Sequence, residues 1–294
     1  MINFAEVSGI TIENLGEHGL KALRISNTFC DALIALQGAQ ILEFNVKYQS
    51  YTQALLWLSE LNSYQPAKAI RGGIPLCFPW FGGHAEEKSY PSHGFARNLE
   101  WALVDVVDIQ ESGHQLIFEL TDNALTRAYW DVAFRLQMQI ECGTQLRLSL
   151  SLVNLDEKQI HYGFAWHSYF PVKIDEAAVY GLQGKAFIDQ LDQHRHKIQH
   201  EEAIHFSEEI DRIYPLTQGS FQLRANHRTT LLINSHAQSA VIWNPWIEKT
   251  ARLADLKPES WREFVCVESG QIASQQQYLE AGQSVEYTLE ISAV

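Results

Sequence analysis

Between Phe134 and Leu152 the chain alternates with period two. Phe134, Leu136, Met138, Ile140 and Cys142 are interleaved with Arg135, Gln137, Gln139 and Glu141. After Gly143-Thr144, Leu146, Leu148, Leu150 and Leu152 are interleaved with Arg147, Ser149 and Ser151. Successive side chains of a strand point to opposite faces, so the pattern predicts two half-buried strands joined at a glycine-containing turn. The same alternation returns in Val285, Tyr287, Leu289 and Ile291, and shorter strand patterns cover Leu116 to Leu120 and Leu231 to Ile233. Helical patterns are few: residues 122–130 predict one short helix capped by Asp122, and residues 246–262 a turn or two. A parallel α/β fold would need recurring amphipathic helices of about ten residues or more, so that class is excluded.

At 294 residues the length alone suggests two domains. No Ser-rich, Pro-rich or charge-block linker divides the chain, and no fixed-period repeat appears. The expectation is therefore one antiparallel all-β domain of layered sheets over residues 1–294. The formal net charge of −13 disfavours nucleic acid and anionic membranes as partners. The four cysteines are far apart with no CxxC pair, against a zinc ribbon, redox motif or disulfide scaffold. No signal-peptide pattern opens the chain and no stretch of about 18 apolar residues occurs, so a soluble, cytoplasmic protein is expected.

Four segments carry chemistry. Ile70 to His84 joins Gly72-Gly73 to two prolines and three aromatics behind Arg71, the composition of an irregular, ordered loop. Pro91 to Asn98 sets His93 and Arg97 four residues apart; an Arg can fork onto a phosphate or carboxylate, and the His can bond a substrate oxygen. In Phe164 to Pro171, His167 sits among aromatics, whose desolvation favours the neutral imidazole and suits proton transfer near neutrality. In Phe264 to Gly270, Glu268 interrupts an apolar strand and shares a face with Phe264 and Cys266. A buried carboxylate there costs several kcal/mol unless partnered, which suggests a function. Taken singly, each segment also fits a purely structural role. A fifth pattern, His194, His196 and Glu201, has the spacing of a metal-binding strand. It lies in a polar run without flanking glycines and reads as a solvated surface segment.

In order along the chain, AIRGGIPLCFPWFG (69–82), PSHGFARNLEW (91–101), HSYF (167–170), IDRIY (210–214), WNPWIEKTARLAD (243–255) and CVESG (266–270) together resemble the aldose 1-epimerase superfamily. RGGIP with HGFAR resembles its hexose-6-phosphate branch in particular. The resemblance implies a large antiparallel β supersandwich of the galactose-mutarotase-like kind with few short helices, no metal and no organic cofactor. It implies His167 as general acid and Glu268 as general base. It implies substrate binding by His93 and Asp211, and phosphate contacts by Arg71 and Arg97. Ser92, where relatives often carry Gln, is carried over as a further substrate contact. Trp166, bulkier than the resemblance leads one to expect, is expected to narrow the groove, and Trp80, Phe81 and Trp243 are candidates to stack on a sugar or, equally, to fill the core. The implied partner is a phosphorylated hexose and the chain is taken as a monomer. A non-catalytic sugar-binding protein and a metal-dependent isomerase are the competing readings; a glycoside hydrolase would need a second carboxylate where a histidine stands.

Overall fold

The computed structural model describes residues 7–109 and 112–294. The alternating segment is a hairpin: Phe134–Cys142 pairs antiparallel with Leu146–Asn154, and every apolar position of the two strands except Val153 faces inward. Leu146–Asn154 also pairs with Ser284–Ala293, and Phe134–Cys142 with His114–Thr121. These strands form the middle of a nine-stranded sheet. Its strand order, by first residue, is 203, 178, 220, 229, 284, 146, 134, 114, 102.

A second sheet of eight strands runs, by first residue, 195, 186, 210, 239, 264, 164, 76 along one path, with Tyr169–Pro171 also paired to Phe264–Gln271. A third, five-stranded sheet is a meander in chain order from Ile10–Leu15 to Thr52–Ala54. One apolar core takes side chains from all three: Ile25 and Phe44 from the meander, Leu136, Leu148 and Leu289 from the nine-stranded sheet, and Ile242, Val265 and Val267 from the eight-stranded sheet.

The strand Phe264–Gln271 is buried at every position, because both of its faces are covered. Val265 and Val267 face the common core. Phe264 and Cys266, of opposite parity, join Val241, Trp243 and Tyr169 in a smaller cluster on the other face, with Phe81 and Leu253 half-buried at its edge. Glu268 shares that parity, as the sequence predicts.

Helix is limited to Ala124–Tyr129 and Trp246–Thr250, with short 3-10 turns besides, among the described residues. The first is not capped by Asp122. Asn123 is the cap, its Oδ1 accepting from the N–H groups of Leu125 and Thr126. Asp122 instead pairs with Arg127 at 2.7 Å and accepts from the N–H of Phe134, so it ties the helix to the next strand. Among the described residues no helix is long and apolar enough to cross a membrane.

Candidate active site

His167 and Glu268 meet because of strand register. Trp166 pairs with Ser269 and Tyr169 with Cys266, so His167 and Ser168 lie in the gap between two short strands, directly beside Glu268. Nε2 of His167 is 3.4 Å from Oε1 of Glu268. Both side chains are buried, and Glu268 retains only 2% of its accessible surface. Oε2 of Glu268 and Nδ1 of His167 find no partner among the described residues. Burial pushes the Glu268 carboxyl well above its ordinary range, and Asp211 adds to the rise. It pushes His167 well below its own, helped by His93, Arg97 and Arg71.

The gap is held open from the Gly72-Gly73 loop. The N–H of His167 donates to Pro75 O and that of Tyr169 to Gly73 O, both at 2.9 Å. Gly73 is at φ +63, and a Cβ there would sit 2.1 Å from the carbonyl oxygen of Ile41. Glycine lets this loop lie flat on the sheet. His93 is set by a second departure from ordinary backbone: it has φ +65 and is followed by Gly94 at φ +71. Its Nδ1 accepts from the Gly82 N–H at 3.3 Å, which leaves Nε2 as the protonated nitrogen. Burial, with Arg97 and Arg71 nearby, lowers its pKa to about 3, so His93 is a neutral donor.

Two adjoining cavities meet at Arg71, His93 and His167. The larger, about 290 Å3, is lined by His167 and Glu268 together with Asp211, Gln190, Trp243 and Lys249. The smaller, about 230 Å3, holds Arg71 and Arg97 with Ser92, Tyr169 and Asp255. Arg97 donates from Nη2 to Ser92 O at 2.9 Å, and its Nε has no partner among the described residues. Burial raises the Asp211 carboxyl, while Lys249 pulls it back down from 3.4 Å.

All seven residues singled out from sequence thus line one bipartite groove: His167, Glu268, Arg71, Ser92, His93, Arg97 and Asp211. Other expectations need correction. Trp166 does not narrow the groove; it is wholly buried in the common core, edge-on to Phe164, because its parity is opposite to that of the groove face. Trp80 likewise packs inward against Phe95 and Tyr90, whereas Phe81 and Trp243 do line the larger cavity. Sequence reasoning assigned nothing to Tyr169, Gln190, Lys249 and Asp255. Tyr169, Lys249 and Asp255 stand inside the quoted motifs, whereas Gln190 carries no signal of its own. His194, His196 and Glu201 are exposed, around the edge strand Arg195–Ile198. Among the described residues no three His, Cys, Asp or Glu side chains gather in a metal-ligand arrangement.

A large antiparallel β sandwich with this groove on one sheet defines a class, the galactose-mutarotase-like proteins. A crystal structure of a "putative mutarotase" from Salmonella typhimurium superposes with a TM-score of 0.89 at 29% identity, covering 98% of this chain and 95% of that one. The chain belongs to the aldose 1-epimerase family, whose model matches residues 21–292. A Salmonella typhimurium relative with the name "Putative glucose-6-phosphate 1-epimerase" is 33% identical over 256 residues, 85% of this chain and 82% of that protein. A relative with the same name from Cenchrus ciliaris is 30% identical over 252 residues, 81% of this chain and 74% of its own.

Proposed function

We propose that the protein interconverts the α and β anomers of hexose 6-phosphates, glucose 6-phosphate foremost. The observation that carries this reading is the contiguity of the two cavities: a buried His–Glu pair in one, two arginines in the other, and a shared wall between them. The sugar ring occupies the larger cavity and the phosphate the smaller. Glu268 takes the proton of the C1 hydroxyl as His167 gives one to the ring oxygen, and the bond from C1 to that oxygen breaks. After rotation of C1 the same two groups close the ring with roles reversed, so the pair ends as it began. The desolvation that raises Glu268 makes it a stronger base, and that which lowers His167 makes its imidazolium a stronger acid. Asp211 accepts from sugar hydroxyls and neutral His93 donates to a sugar oxygen. Trp243 and Phe81 offer apolar surface to the ring.

The test is anomer exchange, followed by NMR, on glucose 6-phosphate and glucose side by side. In Arg97→Ala, kcat/KM for the phosphosugar falls about 10- to 100-fold relative to that for glucose, since a charge-assisted arginine–phosphate contact is lost. Equal losses on both sugars would assign Arg97 to the fold or the ring and end the phosphosugar reading.

A further inference from the structure

Arg71 is held by two groups that the proposed reaction does not itself use. A guanidinium carries five N–H donors. Nε of Arg71 donates to Oδ2 of Asp255 at 3.0 Å, and Nη2 lies 3.0 Å from the same oxygen. Nη1 donates to the hydroxyl of Tyr169, also at 3.0 Å. With three donors committed, one N–H remains on each terminal nitrogen, so two are left to meet oxygens of one anion. Arg97 has nothing comparable: a single bond to Ser92 O and a free Nε among the described residues.

Tyr169 has a second attachment. Its ring stacks on the imidazole of His167, with centroids 4.8 Å apart and planes within 7°. Trp243 closes the stack edge-on, at 5.9 Å from His167 and 6.2 Å from Tyr169. Phenylalanine would fill this buried position equally well, and a buried hydroxyl is unfavourable unless bonded. The partner that the hydroxyl has is the groove's arginine.

We propose that Tyr169, braced through Arg71 by Asp255, is a positioning residue that couples the anion-binding arginine to the proton-transfer histidine. Gripping the phosphate on Arg71 then fixes the ring plane of Tyr169, and with it the stacked His167, toward the sugar ring. The proposal rests on the phosphosugar reading above and adds to it the route from specificity to chemistry.

Four variants separate the two attachments: Tyr169→Phe, Tyr169→Leu, Asp255→Ala and Asp255→Asn. Each is assayed for anomer exchange on glucose 6-phosphate and on glucose, with inorganic phosphate as competitor. Tyr169→Phe keeps the stack and frees one side of Arg71. KM for glucose 6-phosphate and Ki for phosphate therefore rise about three- to tenfold, the scale of immobilising one long side chain, and kcat falls on glucose 6-phosphate but not on glucose, because the grip no longer reaches His167, while the acid limb of the pH profile stays in place. Asp255→Ala gives the same pattern, and Asp255→Asn recovers most of it because the amide oxygen still accepts. Tyr169→Leu removes the stack, so kcat falls on both sugars and the acid limb moves. If the wild type prefers glucose 6-phosphate and phosphate competes, yet Tyr169→Phe and Asp255→Ala leave KM and Ki unchanged, the coupling is wrong and the phosphosugar reading stands. A kcat loss on both sugars in Tyr169→Phe, with Ki for phosphate unchanged, overturns it equally. If the wild type shows no preference and phosphate does not compete, the phosphosugar reading fails first and takes the coupling with it.

Discussion

At the scale of single residues, the proton count on His167 and Glu268 governs the expected behaviour. In the proposed reaction the active pair carries one proton. It gains a second as pH falls through a value below the ordinary imidazole range, because His167 is lowered. It loses its last as pH rises through a value above the ordinary carboxylate range, because Glu268 is raised. The kcat/KM profile should thus be a broad bell with its plateau across neutrality, the limbs belonging to the pair. His167→Asn and Glu268→Gln should each lower kcat by at least about 100-fold with the protein folded, and the double variant should be little worse than either single one. Near wild-type exchange in either would remove that residue from the mechanism. Stability should move the other way. A carboxyl whose folded pKa is raised stabilises fully below its unfolded pKa, about 4.5, and loses that contribution as pH rises toward the folded value. Glu268→Gln should therefore raise Tm, by about 2 °C or more at pH 8 and by less at pH 5. A gain independent of pH would mean that ionisation is not its source. Arg71, Arg97, His93, His167 and Glu268 were readable because each is a polar residue in an apolar or glycine-rich setting. The Asp255 brace was not, since Arg71 and Asp255 are 184 residues apart and the motif that contains Asp255 does not say which residue it pairs with.

At the scale of elements, alternation predicted the hairpin in the observed positions because its two faces have opposite solvation. The same rule reads Phe264–Gln271 only in part. A strand covered on both sides looks like a continuous apolar run, so the residue that breaks the run is what marks the groove face. The Asp122 cap was misread because Asp and Asn are adjacent and cap almost equally well, and the longer-range bond to Arg127 decided between them. The loop that supports the site is testable by a paired substitution. Gly73→Ala places a Cβ against Ile41 O and should lower Tm by about 5 °C or more. Gly184→Ala, at φ +75 with nothing within 4 Å, carries only the conformational cost of about 1 kcal/mol. Similar losses in the two would show that backbone conformation alone, not the contact, demands glycine at 73. At the exposed strand Arg195–Ile198 and the turn before it, replacing His196 and His194 by Ala should leave anomer exchange near the wild-type rate, with or without a chelator. A chelator-sensitive loss would restore the metal-dependent reading.

For the whole molecule, the sequence pointed to layered sheets but not to how they share a core. That sharing depends on contacts between strands far apart along the chain. Because the meander and both large sheets contribute to one apolar core, we expect residues 1–294 to unfold as a unit. Far-UV circular dichroism and tryptophan fluorescence should then give coincident denaturant transitions, and two separated midpoints would divide the chain into domains. The acidic net charge and the proposed anion-binding role of the groove are reconciled by scale: the net charge of −13 sets the distant field, while Arg71 and Arg97 would act at contact range.

The strand that bears Glu268 also has a consequence for descent with modification. Val265 and Val267 hold the shared core, Cys266 the smaller cluster beneath the groove, and Glu268 lines the groove itself, so each of these positions on the strand is committed to packing or to the groove. The rim is under lighter constraint: Ser92 is exposed, and Arg97, Lys249 and Asp255 are only partly covered. On the proposed mechanism, a lineage built on this frame can exchange one substrate for another by altering the rim, and inherit the His167–Glu268 pair unchanged.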